Sequence, residues 1–333
     1  MQIHPAISAL RDDPDAQAKM QSHFLDTISD WHGSQDTQRV LHDLNAFSDG
    51  APLEDCSSLY DLLSDHRAAR KFVDLWQRTM VTALREYPLA KPGFGHASSD
   101  GLSQITLMAC ENAALAILAH EQRDKSPLPS SVVFEDQETH ECVVTGSAHG
   151  LLHEVRQCGG MDTIIDTCST YWQEGNIIVT KGPCETRQVV EVAGTMVLLQ
   201  LSRRPANPQS RREYSINTGE LIHSASGHEA SGQKVTALAV LGAMAEHGEA
   251  HRSIAAIEKC AKDWHEETEV RWEAVRQLFA LNTDRGLALL DALAEQADDP
   301  LSIPAQNLRS ALPADLPEFS EDRELPDHFG SAA

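Results

Sequence analysis

Apolar residues recur about once per helical turn at both ends of this chain and at about every second position through its middle, and this change of rhythm divides it into regions. Up to Tyr87 the period is helical. Met20, Phe24, Ile28 and Trp31 follow Asp13 and Pro14, a pairing that predicts a helix capped at Asp13 with proline in its first position. Val40, Leu41, Leu44 and Phe47 mark a second helix, Leu59, Leu62 and Leu63 a short third, and Phe72, Trp76, Met80 and Leu84 a fourth. Each has one apolar face, so residues 1–87 are expected to form a small helical bundle or cap.

Prolines and glycines in PLAKPGFGHASSDG, residues 88–101, end that period. Beyond it come short runs of Val, Ile, Leu and Thr separated by Gly-bearing turns, at 102–109, 113–120, 132–134, 141–145, 151–156, 162–167, 176–180, 187–192 and 195–201. They predict an antiparallel β barrel or sandwich over residues 88–223. The Ala-rich run at 113–120 suits a helix equally well. Val192-Ala193-Gly194-Thr195 reads as one tight hairpin, and Ile216 to Glu220 as another with Gly219 as its left-handed residue.

A Ser, Gly and Ala linker is expected from Ser224 to Gln233, and the helical period returns over 234–312. Its faces are Val235, Leu238, Leu241 and Ala245; Ile254, Ile257 and Ala261; Val270, Ala274, Leu278 and Leu281; and Leu287, Leu290, Ala294 and Ala297. Asp263, with Glu266 three residues on, is the expected cap of the third helix, and Thr283 that of the fourth. The segment from Glu269 to Leu312 places Arg271 and Ala274 in a V-R-x-x-A pattern, then a turn, a Leu-rich helix, and Asp299-Pro300 before the next helix. It resembles a HEAT-like helical repeat. The resemblance implies a layer of paired helices that offers a surface to another protein, too short for a solenoid and so expected to pack on the β region. Pro304 weakens the repeat that follows. Residues 313–333 are acidic, proline-bearing and aperiodic, and are expected to be disordered. The fold class predicted is α+β: N-terminal helical bundle, central antiparallel barrel or sandwich, C-terminal HEAT-like helices.

Composition removes several functions. Fifty acidic residues against 27 basic ones give a formal charge of -23, which repels phosphate backbones and speaks against nucleic acid as a partner. The longest apolar stretches, such as Met196 to Leu201, are far shorter than the roughly 20 residues of a membrane span, and MQIHPAISALRDDPD lacks the basic and apolar regions of a secretory signal. Seven cysteines without a C-x-x-C pair suit reduced thiols, so a cytoplasmic location is expected. No glycine precedes a lysine, which excludes a P-loop; Gly93-Phe94-Gly95 leads into strands rather than a helix; His153-Glu154, His228-Glu229 and His265-Glu266 each lack the second histidine of a zinc-protease motif; and no G-x-S-x-G occurs.

Among sixteen histidines the best metal candidate is His140, His149, His153 and Glu154, on neighbouring predicted strands joined by a turn at 146–150. With these residues the β region resembles a cupin, which implies a barrel holding a divalent transition metal. The chain departs from that family in having no H-x-H pair and no histidine between Gly175 and Gly182. The bland alternative places His140 and His149 in exposed turns and satisfies His153 with backbone. Arg203, Arg204, Arg211 and Arg212 bracket the loop PANPQS, where they could hold an anionic ligand or guard a strand edge. Cys158, five residues after His153, is a conceivable thiolate, and Trp172, Trp264 and Trp272 invite an interface reading, Trp272 most of all because it falls off its helix stripe. The sequence therefore favours a non-enzymatic protein-binding or scaffolding protein without a cofactor, acting through a protein partner or self-association. The alternative is a cupin-type metal-dependent enzyme or small-molecule sensor.

Overall fold

The two-residue rhythm at the centre of the chain becomes twelve antiparallel strands, and the flanking helical rhythms become nine α-helices among the described residues. The computed structural model describes Asp13 and residues 15–99, 101–122, 129–157, 163–244 and 250–312. The expected disordered tail, 313–333, lies outside the described residues, as do Pro14, Cys158 and Ala245. The chain forms two compact units, Met1–His228 and Glu229–Ala333.

The first unit opens with α1 (Ala16–Gly33), α2 (Gln35–Ser48), a 3-10 turn at Leu53–Asp55, α3 (Ser57–Ser64) and α4 (His66–Glu86). The first helix begins after Asp15; Asp13 instead accepts from the Asp15 backbone N–H and the Lys19 ammonium. These helices do not close on themselves. Phe24, Phe47, Leu59, Phe72 and Trp76 share one core with Leu115, Ile117, Cys142, Leu199 and Leu201 of the largest sheet, so the expected bundle is a layer laid on strands.

The strands are β1 (Gly95–Ser99), β2 (Leu102–Ala109), β3 (Ala113–Glu121), β4 (Ser131–Phe134), β5 (Glu138–Thr145), β6 (Ser147–Gln157), β7 (Ile164–Gln173), β8 (Ile177–Lys181), β9 (Glu185–Val192), β10 (Thr195–Arg203), β11 (Arg211–Ser215) and β12 (Leu221–Ala225). They form a six-stranded sheet in the order β1-β2-β3-β10-β5-β8 and two three-stranded sheets, β7-β6-β9 and β12-β11-β4, and do not close into a barrel. One face of the large sheet meets the helices. On the other, Ala116, Leu118, Val143, Met196 and Leu198 pack against Ala148, Trp172 and Val192 of β7-β6-β9. Two buried faces explain why the Ala-rich run at 113–121 is a strand: its odd positions Leu115 and Ile117 face the helices while Ala116 and Leu118 face the second sheet. Val132, Phe134, Val155 and Tyr214 form a smaller core.

The chain repeatedly changes sheets, and this corrects one expectation. Val192 to Thr195 is not a hairpin, because β9 pairs with β6 while β10 pairs with β3 and β5; the turn carries the chain from one layer to another. A similar crossing follows β5 at Gly146, whose φ of 84° is paired with a close approach: an added Cβ would stand 2.1 Å from the Thr195 carbonyl oxygen. The hairpin at 216–220 does join paired strands, β11 and β12, and Gly219 has φ 69°. β12 occupies the start of the expected linker.

The second unit contains α5 (Glu229–Met244), α6 (Ala250–Lys262), α7 (Thr268–Leu281), α8 (Thr283–Ala294) and α9 (Ser302–Ala311). Val270, Ala274, Val275 and Leu278 of α7 are fully buried, with Ile257, Leu289, Leu290 and Leu301 around them. Arg271, expected as part of the V-R-x-x-A pattern, is buried too. Its guanidinium donates to both carboxylate oxygens of Asp299, at 3.0 and 2.5 Å, and to the Ala261 carbonyl at 3.0 Å, tying the end of α6 and the turn before α9 to α7. The caps differ from expectation. Asn282, not Thr283, accepts from the Arg285 backbone N–H at 2.9 Å, and Asp263 shapes the preceding turn by accepting from His265 rather than capping α7. The buried face of α8 is Gly286, Leu289, Leu290 and Leu293, leaving Leu287 half-buried and Ala297 beyond the helix. Pro304 sits in the first turn of α9, where its missing N–H has no intrahelical partner to lose.

Candidate functional site

His140, His149, His153 and Glu154 are placed by two strands in different sheets, and their side chains diverge. His140, on β5, faces the helical layer, its ring 6.3 Å from Phe47 and its Nε2 2.8 Å from Glu138 Oε1. On β6, His149 is exposed against Tyr171, with ring centroids 4.7 Å apart. His153 lies four residues further along the same face, about 13 Å away at the rise of a strand, and Glu154 turns to the opposite face. Among the described residues no three His, Cys, Asp or Glu side chains stand close enough to hold a metal ion. The donor set does not fit the metal of a cupin.

His153 is 2% exposed and its two ring nitrogens are occupied by side chains, not backbone: Nδ1 is 2.9 Å from Thr167 Oγ1 and Nε2 3.1 Å from Gln188 Oε1. Burial lowers its pKa, an effect that the hydrogen bond with Gln188 partly offsets. The Gln188 amide in turn donates to the Ser131 carbonyl at 2.9 Å.

The four arginines also separate. Arg203, at the end of β10, reaches into the helical layer: Nη1 donates to the carbonyls of Phe47 (2.9 Å) and Ala51 (2.8 Å), Nη2 to Glu138 Oε2 (2.6 Å), and the guanidinium lies 4.0 Å from the Phe47 ring centre. Burial of Glu138 opposes its ionisation, but the hydrogen bonds from His140 and Arg203 hold its pKa below the ordinary carboxylate value. Arg204 and Arg211 share Glu135, at 3.6 and 3.2 Å. Arg212 is half-buried on β11, paired in the ladders with Phe134 and Ser224. These residues do not bracket a hairpin tip, since β10 and β11 belong to different sheets, and β11 is the central strand between β12 and β4.

The sequence reading missed the buried polar network between the six-stranded sheet and β7-β6-β9. Glu141 on β5 is fully buried; Arg187 on β9 grips both of its carboxylate oxygens, and the Gln200 amide on β10 donates to Oε1 at 2.6 Å. The Arg187 guanidinium lies 5.8 Å from the centre of the buried Trp172 ring. The available signal was the position: Glu141 and Gln200 fall in step with Val143 and Leu198, which face inward. Because these groups satisfy one another, the network works as an internal clamp rather than as an acid-base pair aimed at a substrate. Four of the thiols are no better placed for catalysis. Burial pushes Cys142 up to about 11 and raises Cys56, Cys110 and Cys260 as well, which keeps them protonated at neutral pH.

The tryptophans divide sharply. Trp31, Trp76 and Trp172 are 5%, 8% and 4% exposed, and Trp272, off the fully buried stripe of its helix, is half-buried against its own unit's core. Trp264 is 74% exposed, in the turn between α6 and α7, with the His265 ring 3.7 Å from its own. Asp263, Glu266 and Glu267 surround it in sequence, and the Lys234 ammonium pairs with Glu266 at 2.6 Å.

No protein-family profile matches the chain, and no curated protein matches it. Solved structures similar to part of it include the 7S globulin of Momordica charantia, 16% identical over 37% of this chain and 35% of that one with a TM-score of 0.26. A sugar phosphate isomerase of the cupin superfamily from Silicibacter pomeroyi is 15% identical over 34% of this chain and 65% of its own, with a TM-score of 0.23. An RmlC-like cupin from Shewanella frigidimarina is 11% identical over 34% of this chain and 86% of its own, also with a TM-score of 0.23. The chain spans about a third of the globulin. Cupin-fold proteins thus stand among the structures similar to about a third of this chain, and likenesses of that strength leave its own sheets to define the fold. Among the described residues no helix is long and apolar enough to cross a membrane.

Proposed function

We propose that this chain is a non-enzymatic protein-binding or scaffolding protein whose helical unit, organised like a HEAT-like repeat, engages a partner through the turn between α6 and α7. One observation carries the reading: Trp264 is 74% exposed in a chain that buries or half-buries its other four tryptophans. Keeping a large indole in water has no benefit for folding, whereas tryptophan ringed by polar residues is a frequent anchor of protein interfaces. The acidic surroundings of Trp264 suit a partner with an apolar pocket and a basic rim. The polar groups inside the sandwich are satisfied by one another, which favours a structural rather than a catalytic role for that interior.

The test compares the full chain with its Trp264→Ala variant in pull-downs from native cytoplasm, followed by titration of the recovered partner. The expected result is a stoichiometric partner, another protein or a second copy, whose binding falls about thirtyfold on loss of the indole, the scale of an interface anchor. Unchanged thermal melting would accompany it, because an exposed side chain contributes little to folding. Recovery of no stoichiometric partner, or equal binding by both proteins, would overturn the reading.

A further inference from the structure

We propose that the solvent face of α4 is a docking site for an acidic amphipathic helix of a partner protein, a second surface that does not depend on Trp264. The inner face of α4 is used up by the fold, with Ala69, Phe72, Val73, Trp76, Met80 and Ala83 all buried. The outer face carries Arg67, Lys71, Arg78 and Arg85, all exposed, in a chain whose net charge is -23. Acidic groups are abundant, yet among the described residues none of these four cations forms an ion pair, whereas Arg70 on the flank of the same helix pairs with Glu174 at 2.8 Å. The opposing charges on α4 itself are the half-buried Asp74 and the terminal Glu86.

The spacing selects the partner's form. Lys71, Arg78 and Arg85 lie seven residues apart, so consecutive charges stand about 10.5 Å apart along the axis and drift only slightly around it. A second helix with carboxylates at the same interval presents the complementary row. Between the cations, Leu75 and Val81 are 48% and 40% exposed and give such a helix apolar positions to cover. An anionic bilayer fits less well: the face has no exposed aromatic anchor and only Leu75 and Val81 as exposed large aliphatic ones, and the remainder of the chain is repelled by negative surfaces.

The experiment uses the full chain and a labelled three-heptad peptide with glutamate at every seventh position and leucine between, followed by fluorescence anisotropy at about 25 and about 200 mM salt. The expected result is binding that weakens with salt and is reduced at least about tenfold by K71E/R78E/R85E, or less steeply by K71Q/R78Q/R85Q. A peptide with lysine in place of glutamate should bind the charge-reversed protein and not the native one. Each variant's melting curve should overlay that of the native chain, since all three side chains are exposed. The Trp264→Ala variant should bind the acidic peptide normally, so failure of this surface and failure of the Trp264 contact are read separately. Absence of salt-dependent binding, equal binding by the triple variant, or tighter binding to phosphatidylserine vesicles through the same three residues would overturn the proposal.

Discussion

Single residues decide how the interior of the sandwich behaves. Glu141 has no water to turn to, so its two carboxylate oxygens depend on Arg187 and Gln200 for partners. Arg187→Met should therefore destabilise the protein by about 3–5 kcal/mol, since it leaves a buried carboxylate uncompensated, and Glu141→Gln/Arg187→Met should recover much of that loss. Chemical denaturation of the two variants checks this; equal losses would show that the pair contributes through packing alone. His153 makes a prediction about pH. Its folded pKa is depressed by burial, so below its ordinary value of 6.5 the unfolded chain binds a proton that the folded one still refuses. Stability is thus fully present above about 6.5 and is lost as pH falls through that value toward the depressed one. Melting temperatures from pH 7.5 to 5.5 should fall less steeply in His153→Gln than in the native chain. The histidine was legible in the sequence as a candidate, but its role was not: the partners Thr167 and Gln188 are separated from it by 14 and 35 positions.

At the scale of elements, the helices were legible because a periodic apolar stripe is a local signal, and α2, α3 and α4 lie where the stripes run. Their ends were less so. Thr283 and Asn282 are adjacent and both are good caps, and only the backbone angle at Asn282, φ -155° and ψ 99°, decides which one leaves the helix. Asn282→Ala should cost about 1 kcal/mol and Thr283→Ala a few tenths at most, measured as shifts in the denaturation midpoint of the full chain. The reverse order would restore the sequence-based assignment. Strand positions were legible for the same reason as helices, whereas the partner of each strand was not. A Gly-bearing turn such as Ala193-Gly194 looks alike whether it folds a strand back on its neighbour or sends it into another sheet. The choice is made by β3 and β5, which flank β10 on both sides.

On the scale of the whole molecule, the mixed class and the helix-strand-helix sequence of regions followed from rhythm alone, but the boundary at Tyr87 did not survive as a structural division. The N-terminal helices and the large sheet share one core, because an amphipathic layer of four helices and a sheet with an apolar face bury more surface together than apart. Phe47→Ala should accordingly raise hydrogen exchange in β10 as well as in α2, with a stability loss of about 3–5 kcal/mol. Exchange confined to α2 would mean that the layers open independently. The same long-range architecture bears on how the chain is made. Arg203 closes on carbonyls at positions 47 and 51, and β10 sits between strands that leave the ribosome well before it. At about 5–20 residues per second, the helices spend on the order of ten seconds exposed before their sheet can be completed. For that interval the nascent polypeptide carries an uncovered apolar stripe, and it is then that chaperones have the most to grasp.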